Sequence, residues 1–242
     1  MGWLLDTFAW LTDPQSWQGS RGIPTLLVEH LGLTAASLGL ACLIGLPLAV
    51  WLGHVGRGGV LAVQVGNIGR AVPTLALLTI LVLASAPFGR STLTQLVAFT
   101  AFAIPPILTN TYVGMRDVDR EVVDAARGMG MTGSQVLRRV ELPLATTMLM
   151  TGVRIAAVQL FATVSIAAIV GFGGLGRIVT NGFALRDVGQ VVGGAMVIAA
   201  LALLVELMFE QLSKVVDPRR RADARPTART PEPVTAAAVT RS

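Results

Sequence analysis

The stretch DAARGMGMTGSQVLRRVELP, Asp124–Pro143, lies between two long apolar runs, and its reading decides that of the whole chain. It carries Gly128, Gly130 and Gly133, the arginines Arg127, Arg138 and Arg139, and a terminal proline. The rest of the chain is 53% hydrophobic, only 14% charged, with a mean hydropathy of +0.67. So polar a segment belongs in water, and the apolar runs beside it belong in lipid.

Working outward, runs without Asp, Glu, Lys or Arg cover Leu31–Gly53, Ala71–Gly89 and Ser91–Met115. Two more are Leu142–Gly176, broken only by Arg154, and Val188–Val205. A helix crosses the hydrocarbon core with about 20 apolar residues. No water there pairs backbone groups, so each run must be helical. The expected fold is an all-α integral membrane protein with five transmembrane helices.

The basic residues orient it, since cytoplasmic loops hold the excess of Lys and Arg. One side carries Arg57, Arg70, Arg116, Arg120, Arg127, Arg138 and Arg139, with Lys214, Arg219, Arg220, Arg221, Arg225, Arg229 and Arg241 in the tail. The other side has only Arg21, Arg90, Arg177 and Arg186. This places the N-terminus outside and the C-terminus in the cytoplasm. The net charge of +5 then reflects topology and affinity for anionic headgroups. Basic residues divided among separate loops argue against nucleic-acid binding.

Three regions follow. Residues 1–22 form an extracytoplasmic interfacial segment in which Trp3, Trp10 and Trp17 recur every seven residues, at the level where indoles favour headgroups. Asp13-Pro14 should end its helix. The beginning of the chain has no basic region of the signal-peptide kind, so the spans themselves direct insertion. Residues 23–214 form the transmembrane domain, with a cytoplasmic loop at 117–143. Residues 215–242, rich in Pro, Arg, Ala and Thr, cannot bury a core and read as a disordered basic tail.

The loop has careful punctuation. Asp117 or Asp119 can cap a helix through REVVDAARGM, with Val122, Ala126 and Met129 on one face. Gly128 and Gly130 end it. TGSQ, Thr132–Gln135, reads as a capping box opening a second short helix, and Pro143 marks the bend into the fourth span. Ala125 and Ala126 leave a shallow surface that another protein's cleft could receive.

Other features are weaker. Pro47, Pro73 and the pair Pro105-Pro106 bend three spans, as packing kinks or around a path, with Asn110 and Tyr112 near the third. Gly171, Gly173, Gly174 and Gly176 lie in GFGGLG. Its spacing matches a dinucleotide fingerprint, but it follows a transmembrane run rather than a strand. A tight turn or partly re-entrant loop, serving as outer gate or docking surface, is the better reading. Arg154 is costly in a span and either faces the bundle or snorkels. Counted from the cytoplasmic ends, it shares a depth with Glu206, and the two can pair. Cys42, alone, is a small buried hydrophobe. His30 and His54 lie at opposite ends of one span and cannot share a metal. No catalytic residues group together and no metal site is expected. No G-x-x-x-x-G-K-[ST] occurs anywhere, so if transport here uses ATP, another polypeptide must bind it.

The acid and two alanines Asp124-Ala125-Ala126, then Gly130, Val140 and Leu142-Pro143, stand in the register of the EAA loop. In this the chain resembles permeases of binding-protein-dependent ABC importers, with Asp where Glu is usual. AVPTLALLTIL, IPPILTNTYVGMRDVD, ELPLA, GVRIAAVQ and GFGGLG are similar to the osmoprotectant branch, over about Leu31–Gln211. That resemblance implies a MetI-like fold in the bacterial cytoplasmic (inner) membrane. It implies a second permease chain, ABC ATP-binding subunits that hold ATP and Mg and grip the loop, and an extracytoplasmic solute-binding protein. The solute would be glycine betaine, choline or carnitine, with methionine or another small amino acid the alternative. A stand-alone channel or secondary transporter fits less well, since no inverted repeat is evident.

Overall fold

Every regular element among the described residues is helical, as lipid demands of an apolar chain. The computed structural model describes residues 2–59, 64, 73–84 and 91–216. Its helices are α1 (Gly2–Thr12), α2 (Ile23–Val55), α3 (Thr74–Ala84), α4 (Thr92–Arg116), α5 (Arg120–Gly128), α6 (Gly133–Val136), α7 (Leu142–Ala167), α8 (Gly176–Leu185) and α9 (Val188–Val216).

The centre is the pairing of α2 with α4, and its cause is visible in α2. Ser37, Ala41, Gly45, Ala49 and Gly53 are all buried and recur every four residues. Side chains four apart share one helix face, so this face has almost no bulk and admits a neighbour closely. A β-carbon on Gly45 would lie 3.2 Å from Ile107, and one on Gly53 would collide with Met115. From the other side α7 packs on α4, where Gly114 and Gly152 give the same close approach to Met148 and Asn110. Phe99, Ile107, Ala156, Leu160 and Phe172 fill the core between these three helices.

Four stretches are long and apolar enough to cross a membrane: Ile23–Val55, Thr92–Arg116, Gly133–Val170 and Val188–Val215. The expected second span, Ala71–Gly89, is described only over α3, an apolar helix of 11 residues. At 1.5 Å per residue this covers roughly 17 Å, short of the hydrocarbon core. Most of the remaining Ala71–Gly89 run lies outside the described residues, as do Arg70 and Arg90 and the tail from residue 217. The fold is an all-helical bundle with four spans among the described residues.

Three local expectations change. The tryptophans do not share one setting: Trp3 and Trp17 are exposed, whereas Trp10 lies over Gly193 of α9, so α1 is docked onto that helix. The last helix continues past its charge-free run, which ends at Val205, to Val216. Pro143 does not separate the second short helix from the span that follows. Leu137–Glu141 forms one wide π turn that runs directly into α7, giving a continuous helical run to Val170. A proline in a regular helix loses a hydrogen bond and collides with the carbonyl four residues back. The wider turn ahead of Pro143 absorbs that conflict.

Candidate functional site

The polar segment folds as a helix, a turn and a short helix. Asp119, rather than Asp117, caps α5, its carboxylate accepting from Glu121 N–H at 2.9 Å. Gly130 turns the chain at φ +85°, the left-handed region where a β-carbon is penalised, and Met131 N–H closes back on Ala126 C=O at 3.2 Å. Gln135 Oε1 then accepts from Thr132 N–H at 2.8 Å as α6 begins. The inward face differs from the expected one. Val123 and Ala126 are buried, while Val122 is 44% and Met129 77% exposed. Spacing of three, not seven, fits a helix of only nine residues lying on a small cluster of Met115, Val118, Val136 and Ala145. Asp124 and Ala125 therefore point outward beside Gly128 and Gly130, a shallow and exposed surface. Val140 and Leu142 pack partly buried against the cluster beneath. Pro143 follows in the first turn of α7.

Sequence reasoning missed a contact under this surface. Glu141, 1% exposed, carries its carboxylate against Nδ1 of His54 at the last turn of α2. With an ionised carboxylate as acceptor, Nδ1 is the donor. The signal was a lone acid in the arginine-rich end of the segment and a histidine closing a span, but sequence offers no register between them.

GFGGLG is a buried loop. Phe172, Gly173, Gly174, Leu175 and Gly176 are all covered, and only Gly171 is exposed, closing the short turn Ala168–Val170. Three side chains from α2 and α4 hold the loop. Glu29 of α2 abuts Gly173, whose N–H donates to Gln95 Oε1 of α4 at 3.5 Å. Leu175 N–H donates to His30 Nδ1 at 3.3 Å, and the His30 ring sits on Phe161 with centroids 4.3 Å apart. Gly174 has φ +89°, and a β-carbon there would meet His30 at 2.9 Å. Gly176 backs onto the Ser165 carbonyl and opens α8. Beside the loop, an open cleft of about 630 Å³ includes Trp10, Asp13, Arg21, Phe172, Arg177 and Asp187.

Arg154 of α7 meets Glu206 of α9, its Nε donating to Oε1 at 2.9 Å and its terminal nitrogen to the same oxygen. Both side chains are 34% exposed. They lie in an open cleft of about 770 Å³ lined also by Thr147, Thr151, Gln159, Glu210 and Lys214. The proline group is not gathered in one cavity. Asn110 Nδ2 donates to the Pro106 carbonyl at 2.8 Å and faces Gly152 on α7. Tyr112 turns the other way, onto Ala49 of α2 and Leu108. Residues two apart on a helix point about 200° apart, so Asn110 and Tyr112 cannot line the same wall. Pro105 is half-buried in the same helix.

Residues 43–222 match the model of the family described as the binding-protein-dependent transport system inner membrane component. The chain is 32% identical to the carnitine transport permease protein OpuCB of Listeria monocytogenes, over 81% of this chain and 89% of that protein. It is 30% identical to the osmoprotectant import permease protein OsmW of Salmonella typhimurium, over 89% of this chain and 99% of that one. Among solved structures, an inward-facing form of the MetNI methionine ABC transporter matches with a TM-score of 0.66 and 25% identity, covering 85% of this chain and 99% of that chain. By family model, sequence and fold together, this chain belongs to the binding-protein-dependent inner-membrane components, the multi-pass permease subunits of ABC importers with a MetI-like fold.

Proposed function

We propose that this chain carries an osmoprotectant of the glycine betaine, choline or carnitine class across the bacterial inner membrane, driven by ATP hydrolysed on a partner subunit. The protein crosses the membrane five times, with the N-terminus outside and the C-terminus in the cytoplasm. Two permease chains form the pathway, and an extracytoplasmic binding protein delivers solute to it. Residues 1–22 lie at the outer interface and 215–242 form a cytoplasmic tail.

The observation that carries this reading is the surface of α5 and its turn. Its apolar residues Val123 and Ala126 are spent on the chain's own cluster. What remains outward is the small-residue surface of Asp124, Ala125, Gly128 and Gly130, flanked by the exposed Val122 and Met129, capped and anchored at both ends by spans. A free loop needs none of that order, whereas a handle gripped by a motor protein does. ATP binding drives transport only so far as it favours one permease conformation over another. The chain's part is to tie this handle rigidly to helices that line the path.

In the α7–α9 cleft, Arg154 and Lys214 face Glu206 and Glu210. Intramembrane charges of this kind face water or protein, not lipid, and we place the solute path along this wall rather than at Pro105 and Pro106. The relatives transport carnitine or other osmoprotectants by their names, which favours that class. The fold neighbour transports methionine, which supports a small amino acid as the second reading. Purifying the chain with its ATP-binding subunits, then measuring ATP hydrolysis and uptake of labelled glycine betaine and methionine in proteoliposomes with the binding protein, decides between them. Stimulated hydrolysis with betaine uptake is expected; uptake of methionine alone reverses the substrate assignment.

A further inference from the structure

Helix α2 touches both functional loops, one at each end, and both times through a histidine. At one end His54 Nδ1 donates to the buried carboxylate of Glu141, on the π turn that joins the Asp124–Pro143 element to α7. The other ring nitrogen faces Gly133, at the start of α6. At the opposite end His30 Nδ1 accepts from Leu175 N–H, and the neighbouring Glu29 abuts Gly173. The 24 residue steps from His30 to His54 rise about 36 Å at 1.5 Å per residue, enough to cross the hydrocarbon.

Between these ends α2 has little freedom of its own. The stripe Ser37, Ala41, Gly45, Ala49 and Gly53 seats it closely on α4. That helix is joined to the same two loops. Met115 belongs to the cluster under α5, and Gln95 accepts from Gly173 N–H. Close-packed interiors transmit displacement because they hold few voids to absorb it. A wide π turn is a helical irregularity often found at functional sites, and here it holds Glu141.

We infer that α2, seated on α4, is a strut that transmits displacement of the cytoplasmic Asp124–Pro143 element to the outer GFGGLG loop, with His54–Glu141 and His30–Leu175 as its two joints. The inference rests on the importer reading above and adds the positioning residues that connect its two ends. His54 acts through Glu141 and lies on α2, outside the α5 surface offered to the ATP-binding subunit. Breaking this joint therefore separates nucleotide turnover from movement of the outer loop.

The test reads the far end directly. In a Cys42→Ala background, Arg177→Cys places one exposed thiol in the first turn of α8, just beyond the glycine loop. The complex with its ATP-binding subunits, in proteoliposomes, is labelled with a membrane-impermeant maleimide, without nucleotide and after trapping with ATP and vanadate. The parent is expected to change labelling rate at least threefold between the two states. His54→Ala is expected to lose most of that change while hydrolysing ATP within about threefold of the parent. His54→Gln, which keeps a donor for Glu141, is expected to restore it. His30→Ala should give the same loss from the outer end, and this second variant decides the matter if His54→Ala fails to assemble. A nucleotide-dependent change that persists in both alanine variants overturns the strut, as does a parent that hydrolyses ATP with no change in labelling of the introduced thiol. Failure of the parent to bind any ATP-binding subunit refutes the importer reading itself, and the strut with it.

Discussion

Replacing Arg154 by alanine should weaken the fold chiefly through what it leaves behind. Glu206 would then keep a carboxylate among membrane-spanning helices with no partner. The geometry bounds the effect. Both Arg154 donors converge on a single carboxylate oxygen, one at 2.9 Å, and both side chains are 34% exposed. A fully exposed pair contributes about 0.2–1 kcal/mol, and removing one member of a fully buried pair costs about 3–5 kcal/mol. With a third of each side chain exposed, the loss in either single variant should fall between these, at about 1–3 kcal/mol. The Arg154→Ala/Glu206→Ala double variant, which leaves no orphaned charge, should cost less than the sum of the singles by about 1–2 kcal/mol. The assay is a double-mutant cycle of unfolding in detergent micelles, with the amount of folded protein in the membrane as a second reading. Strictly additive losses would refute the coupling and leave Arg154 as a side chain that reaches the membrane surface independently.

Two glycines with nearly the same φ separate backbone strain from crowding. Gly130→Ala, where the surroundings are open, should cost only the left-handed penalty of about 1–2 kcal/mol. Gly174→Ala adds a contact with His30 and should lower the unfolding temperature further than Gly130→Ala does; equal shifts in a thermal melt would show that His30 does not press on the loop. Gly53→Leu should force α2 away from Met115 of α4 and destabilise by about 1–3 kcal/mol. Gly39→Leu, on an open face of the same helix, should not destabilise, since leucine is the better helix former by about 0.5–1 kcal/mol, and the contrast is read from the same melts.

Much of this architecture is legible in the sequence because lipid removes alternatives. A charge-free run of about 20 residues has one stable backbone conformation, so the helical class follows from composition. The spans beginning at Thr92 and Val188 follow the apolar runs, the first span contains its run but starts eight residues earlier at Ile23, and the capping box at Thr132 follows from local chemistry. What escapes is whatever depends on register between separate helices. The α5 periodicity allows either Val122 or Val123 to face inward, and only the cluster around Met115 selects Val123. The prolines near Asn110 suggest path residues, yet rotation along α4 sends Asn110 to α7 and Tyr112 to α2. His54 and Glu141 are 87 positions apart, and nothing local to either announces the other. That the helix continues through Pro143 is not legible either, because the sequence does not show that a π turn can take up its missing donor.

The account depends most on the claim that a separate ATPase grips the α5 surface. Ala125→Trp places a large ring where the side chain is exposed, so the variant should insert and melt like the parent. Uptake of labelled glycine betaine by proteoliposomes holding the full complex is the direct measurement. The account predicts that uptake falls at least tenfold, with loss of the ATP-binding subunits on purification or hydrolysis no longer linked to transport. Undiminished betaine uptake by the correctly inserted Ala125→Trp protein would contradict it.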